Sequence, residues 1–187
     1  MSKFDFVAGH VALDFVNTVA NRLSPDKRRD LLAGPSDLAL WLAAAGLEGG
    51  DFIGNDVSHA RTLREHLHQA FEAFAEGGLP SEATLAAIGA LRNEFETGRR
   101  LAVSDGAVEF RWSPTAGALR RAFHPILVQA IELLTSDQTA RIRQCEGPGC
   151  GWLFLDRSRG NSKRRWCSMQ DCGNRAKSMR HHARSRA

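Results

Sequence analysis

The sequence predicts an α+β fold, a mostly helical body over residues 1–140 with one small β-hairpin, followed by a compact cysteine-bearing module over residues 141–187. Three observations carry this. Apolar residues recur at helical spacing through most of the first 140 positions, the period switches to two once, near residues 100–112, and every cysteine of the chain falls after residue 144. At 187 residues and 43% hydrophobic there is enough chain for a real core, and no stretch approaches the roughly 20 apolar residues of a spanning helix. The opening run is broken by His10 and Asp14 before an export signal can form, so the cytoplasm is the expected compartment.

The elements follow in order. Val11, Leu13 and Phe15 alternate as a strand would, whereas Phe15, Val16, Val19 and Leu23 follow a helical period, so the entry is ambiguous. Ser36 is placed to cap a helix through Leu38, Trp41, Leu42 and Ala45, stopped by Gly46. A longer helix buries Leu63, Leu67, Ala70, Phe71 and Phe74 and ends at Gly77-Gly78. Pro80-Ser81 opens the next, with Leu85, Ile88, Leu91 and Phe95 inward. Arg100 to Val103 and Ala107 to Trp112 flank Ser104-Asp105-Gly106, a hairpin signal. Leu119, Phe123, Ile126, Leu127, Ala130 and Leu134 form the last helical face, interrupted by Pro125, and Thr135 to Ala140 is the expected hinge.

Cys145, Cys150, Cys167 and Cys172 are spaced C-x4-C-x16-C-x4-C. Two short-spaced pairs joined by a loop are what a tetrahedral zinc site needs, each pair supplying two thiolates from one knuckle. Gly147, Gly149 and Gly151 around the first pair and Gly173 after the second suit backbone that must turn toward sulfur. A reducing compartment disfavours two disulfides, and four thiolates leave no open coordination position, so one structural Zn2+ is expected. Trp152 to Leu155 reads as a strand paired with a returning Arg164 to Trp166 through a turn at Arg157 to Ser162, and a helix follows Cys172. Its stripe of Cys172, Ala176, Met179 and Ala183 is placed to pack on the knuckles.

Charge divides the chain at the same place. Residues 141–187 hold twelve Lys or Arg against three acids, net +9, while the preceding 140 keep thirteen against eighteen, net −5. Cations concentrated on a metal-anchored module are the footprint of a nucleic-acid binder, because they release counterions from phosphate. Arg164 and Arg165 are expected to meet phosphates, and Arg175, Lys177, Arg180 and Arg184 to offer base-edge contacts from the helix, with Asn174 and Arg175 equally suited to buttress the knuckle. The body is expected to fold alone and, being acidic, to leave nucleic acid to the finger.

The run Cys145-x4-Cys150-Gly151-Trp152-Leu153-Phe154-Leu155-Asp156, then Arg164-Arg165-Trp166-Cys167-Ser168-Met169 and Cys172-Gly173-Asn174-Arg175, resembles the CGNR zinc finger of bacterial proteins. In that family the finger follows an N-terminal domain called ABATE, whose opening motif Leu13-Asp14-Phe15-Val16-Asn17-Thr18 resembles. The resemblance implies a stress-induced transcription regulator that binds DNA, its N-terminal domain sensing a signal or forming a homodimer. An RNA-binding or protein-docking module is the alternative, since exposed Trp152 or Trp166 would stack on unpaired bases.

Enzymatic chemistry is not expected. Asp14, Asn17 and Asn21 fall at i, i+3 and i+7, one helical face that suits either a small-molecule pocket or, more simply, a solvated surface. His59, His66 and His68 lack the i, i+4 spacing of a metal pair and read as exposed or capping residues, and no phosphate loop or nucleophile elbow occurs.

Overall fold

A computed structural model describes residues 3–158 and 164–185, excepting the Arg184 side chain. Its spine is α3 (Gly54–Ala75), because Val57, Ala60, Leu63, Leu67, Ala70 and Phe71 recur every three or four residues and bury one whole face. The Asp56 carboxylate accepts the Ile53 N–H at 2.8 Å to open it. Gly77, at φ +83°, lets the Gly78 N–H return to the Ala73 carbonyl at 2.9 Å and closes it. Against α3 pack α1 (Val11–Val16), α2 (Pro35–Ala44), α4 (Glu82–Glu96) and α5 (Ala118–Leu134). Pro35 starts α2 at its first turn and Gly46 stops it, while Ser81 caps α4 through the Thr84 N–H at 3.1 Å. Pro125 lies inside α5 on an exposed position and the helix runs through it.

The structure corrects several expectations. Ser36, expected to cap α2, lies inside it, the N-cap being Gly34 with no side-chain hydrogen bond. The helical reading of the entry ends at Val16, not Leu23: both the amide and the hydroxyl of Thr18 turn back to the Phe15 carbonyl (3.1 and 2.8 Å), and the chain leaves as β1 (Val19–Ala20), paired antiparallel with β2 (Arg29–Asp30). Leu85 is exposed. The segment expected to hinge forms a 3-10 turn, Asp137–Arg141, capped by Ser136 and packed on α3 and α5. His68 is buried on α3, where loss of water and the Arg22 charge push its pKa down to about 4.

The hairpin β3 (Arg99–Ser104) and β4 (Ala107–Trp112) forms as expected about Asp105-Gly106, both at positive φ. Leu101 opposes Phe110 and Val103 opposes Val108, so one face carries four exposed apolar side chains.

The C-terminal module is built into the same core. Its hairpin pairs β5 (Ile142–Gln144) with β6 (Leu153–Leu155), Ile142 opposite Leu155, rather than β6 with Arg164 to Trp166. The first knuckle joins these two strands directly, so pairing them closes a short loop, which the longer return would not. Residues 159–162 of the expected turn lie outside the described residues. Ile142, Leu153, Phe154 and Leu155 are buried in one continuous cluster with Leu13, Phe15, Leu63 and Phe123, so no gap between two cores falls near residue 140.

Asn17 makes the junction. Its Nδ2 donates to the Leu153 carbonyl at 2.8 Å and its Oδ1 accepts the Leu153 N–H at 2.9 Å, both in the interior, and the Leu155 N–H reaches the Ala8 carbonyl at 2.8 Å. Removing that amide strands a buried donor and a buried acceptor at once. Asn17→Ala should therefore cost roughly 2 to 4 kcal/mol, read as a fall in the urea midpoint of the full chain with the finger hairpin and helices lost together.

Candidate metal centre and its basic surround

The four cysteine sulfurs lie within 4.8 Å of one another, all on buried residues, and none is in a disulfide. Cys150 and Cys167 Sγ are 3.7 Å apart and Cys167 and Cys172 Sγ 3.6 Å. A tetrahedron with Zn–S bonds of about 2.3 Å has S···S edges of about 3.8 Å, so the donor set fits one zinc ion. The Gly147 and Cys167 amides point at Cys145 Sγ (3.4 and 3.3 Å), the backbone-to-sulfur bonds that settle thiolate charge. Hydrogen bonds from the Cys150 and Cys167 thiols, then from these amides, draw the Cys145 thiol far below its ordinary range. Gly147 is obligatory: a Cβ there would lie 2.8 Å from both Cβ and Sγ of Cys172.

The body holds the first knuckle. On the turn after β1, the Arg22 N–H donates to the Cys150 carbonyl at 3.0 Å and the Leu23 N–H to the Gly149 carbonyl at 3.2 Å. The Trp152 indole N–H donates to the Val19 carbonyl at 2.8 Å. Gly151, at φ +70°, leaves room for Leu23, whose Cγ would sit 2.8 Å from a Cβ. Beneath this turn a charged network fixes β2 to α3. Arg64, buried, grips both oxygens of Asp30 at 2.8 and 2.7 Å, and Arg22 binds Glu65 at 2.6 Å. Burial pushes the Asp30 carboxyl up, but the Arg64 bonds and charge outweigh it and hold the group below its ordinary range.

The basic residues do not all face outward. Arg164, expected on phosphate, is a clamp: its Nε donates to the Trp166 carbonyl at 2.9 Å, its Nη2 to the Val7 carbonyl at 2.9 Å and to the Cys167 carbonyl, and its guanidinium lies 4.4 Å over the Phe154 ring. With its donors on backbone carbonyls it joins body, hairpin and second knuckle. Arg165 is exposed beside Trp166 and ion-paired with Glu146. A turn at Met169–Gly173 leads into α6 (Asn174–Arg184), where Arg175, Lys177 and Arg180 are exposed and Asn174 donates to the Gln170 carbonyl at 2.9 Å. The Arg184 side chain lies outside the described residues. The stripe expected to pack on the knuckles opens instead onto a groove, with Met179 53% exposed beside Trp166.

Asp14, Asn17 and Asn21 do not share a helical face. Asp14 is buried and accepts the Ala8 N–H at 2.9 Å, and loss of water raises its pKa to about 6. Asn17 is committed to Leu153, so these two are internal braces and not pocket lining. Asn21, at φ +50° in the turn after β1, is the one that reaches a cleft, with Trp152 and three of the cysteines. Sequence reasoning missed Arg64 and the Lys27-Arg28-Arg29 run, although the latter is visible as three consecutive cations.

Comparison with family models gives two matches. The ABATE model, described as "Putative stress-induced transcription regulator", covers residues 9–137, and the CGNR zinc finger model covers residues 141–185. No curated protein matches the chain.

Arg164 and Arg165 are neighbours with opposite roles, which a chelator separates. Arg164→Ala leaves several carbonyls unpaired and should weaken the finger by about 2 kcal/mol, releasing zinc to a metallochromic chelator markedly faster. Arg165→Ala removes an exposed, solvent-screened pair and should leave the release rate unchanged.

Proposed function

We propose that this chain, which belongs to the ABATE family and carries a CGNR zinc finger, is a transcription regulator that binds duplex DNA through α6 and the zinc-anchored surface, with the body sensing a signal or forming a homodimer. The observation that carries this reading is α6 itself. It presents Arg175, Lys177 and Arg180 to solvent from a helix whose first turn follows the zinc ligand Cys172. A rigidly anchored cationic helix suits the major groove. Four thiolates saturate the metal, so its part is structural, and we propose binding rather than catalysis. The exposed apolar face of β3 and β4 supports the homodimer, and no described helix is long and apolar enough to cross a membrane.

A second reading, an RNA-binding or protein-docking module, is favoured by the groove of about 400 Å³ lined by Pro148, Trp166, Ala176 and Met179. Trp152 supports it less, being half-buried and bonded to Val19. Competition decides between them. Zinc-loaded protein should prefer duplex DNA to single-stranded RNA at physiological salt, with affinity falling as salt rises. Lys177→Ala or Arg180→Ala should cost about 1 to 3 kcal/mol at a preferred site. Unchanged duplex affinity in folded variants at both positions, or stronger binding of single-stranded RNA, selects the second reading.

A further inference from the structure

The body is acidic overall, yet it holds one run of three consecutive cations, Lys27-Arg28-Arg29, running from the end of the β1–β2 turn into the first residue of β2, and all three are exposed. That turn is held in place from within and from the finger. Asn21 Nδ2 donates to the Lys27 carbonyl at 3.2 Å, and the Lys27 and Arg28 amides donate to the Ser24 carbonyl at 2.9 and 2.8 Å. Its first residues, Arg22 and Leu23, are the ones bonded to the Cys145–Cys150 knuckle. Arg29 lines a cleft of about 230 Å³ between body and finger, and so does Arg175 from the start of α6. Among the described residues neither guanidinium has an ion pair or side-chain hydrogen bond, whereas the third cation of the cleft, Lys3, is paired with Asp37. Two acids also line it. Asp5 and Asp171 both oppose an anion there, the Asp171 carboxylate accepting the Ser168 hydroxyl at 2.6 Å.

We propose that the β1–β2 turn and α6 form one composite surface for the phosphate backbone of duplex DNA, with a backbone phosphate seated between Arg29 and Arg175. This rests on the DNA-binding reading and moves part of the binding surface from the finger onto the body. Guanidinium forks match phosphate oxygens, and two of them from opposite ends of the sequence on one cleft suit one such group. A free small anion would engage only that pair. Lys27 and Arg28, exposed and adjoining Arg29 in the chain, extend the charge beyond it along the body, which a polyanion uses and a small anion does not.

The test is a salt titration of duplex DNA binding by the full zinc-loaded chain. Arg29→Ala and the triple variant Lys27→Ala/Arg28→Ala/Arg29→Ala are compared with Lys177→Ala/Arg180→Ala, and zinc content and ellipticity establish that each is folded. Each phosphate that a variant no longer neutralises should flatten the log–log salt slope by about 0.9 and weaken binding roughly eightfold at 0.1 M salt, alike for all sequences. Asp5→Asn should tighten binding. If the α6 variant loses affinity while the turn variants keep the wild-type slope, the composite surface is wrong and the α6 reading stands. If the turn variants lose only their response to inorganic phosphate and not DNA, the cleft takes a small anion and the proposal is overturned. If the wild-type chain fails to bind duplex DNA, both readings fall.

Discussion

One side-chain amide joins the two ends of this chain. Asn17 pairs with both backbone groups of Leu153 as a neighbouring strand would, in a place where water cannot substitute. The rest of the arrangement depends on it. With Leu153 fixed, β6 lies against α1 and α3, Phe154 and Leu155 complete the core begun by Leu13 and Phe15, and the knuckle preceding β6 is set beside the β1–β2 turn. The six-residue motif from Leu13 to Thr18 is then a docking device: Leu13 and Phe15 fill the core, Asp14 braces the chain at Ala8, Thr18 closes the helix and receives Arg64, and Asn17 seats the finger.

The zinc centre and the body support each other through that junction. Small metal modules usually depend on their metal because they have little core of their own. Here the hairpin that carries the first knuckle borrows the core of the body, and the body contributes backbone partners to Cys150 and Gly149 and a carbonyl to Trp152. Arg164 closes the assembly by tying the second knuckle to Val7 near the start of the chain. The metal thus stands as one anchor among several, and α6 is joined to the body through the second knuckle that Arg164 ties to Val7.

Local features were readable in the sequence and long-range ones were not. The cysteine spacing, the stops at Gly46 and Gly77, the Ser81 cap and the Asp105-Gly106 turn each depend on residues a few positions apart, where residue type constrains the backbone directly. Asn17 is 136 residues from its partner, and nothing in its neighbourhood distinguishes a solvated asparagine from a buried brace. Arg164 looks identical in sequence to Arg165, because whether a guanidinium meets solvent or carbonyls is decided by what packs over it. The Lys27-Arg28-Arg29 run sits between Asp26 and Asp30 in an acidic body. Averaging charge over 140 residues erased it, and only the fold shows that it lies beside the finger. The strand partner of β6 is illegible for a related reason, since the apolar run Trp152 to Leu155 says that a strand exists and not which strand it meets.

The central claim is that finger and body are one cooperative unit. Thermal unfolding of the full chain, followed in parallel by far-ultraviolet ellipticity for the helices and by tryptophan emission, with zinc bound and after its removal by a chelator, tests it most directly. The account predicts coincident transitions with zinc and a lower midpoint for the helical signal itself once zinc is removed, because the core loses the hairpin that the metal helps to hold. A helical transition that stays where it was on chelation, while part of the tryptophan emission changes separately, would contradict it.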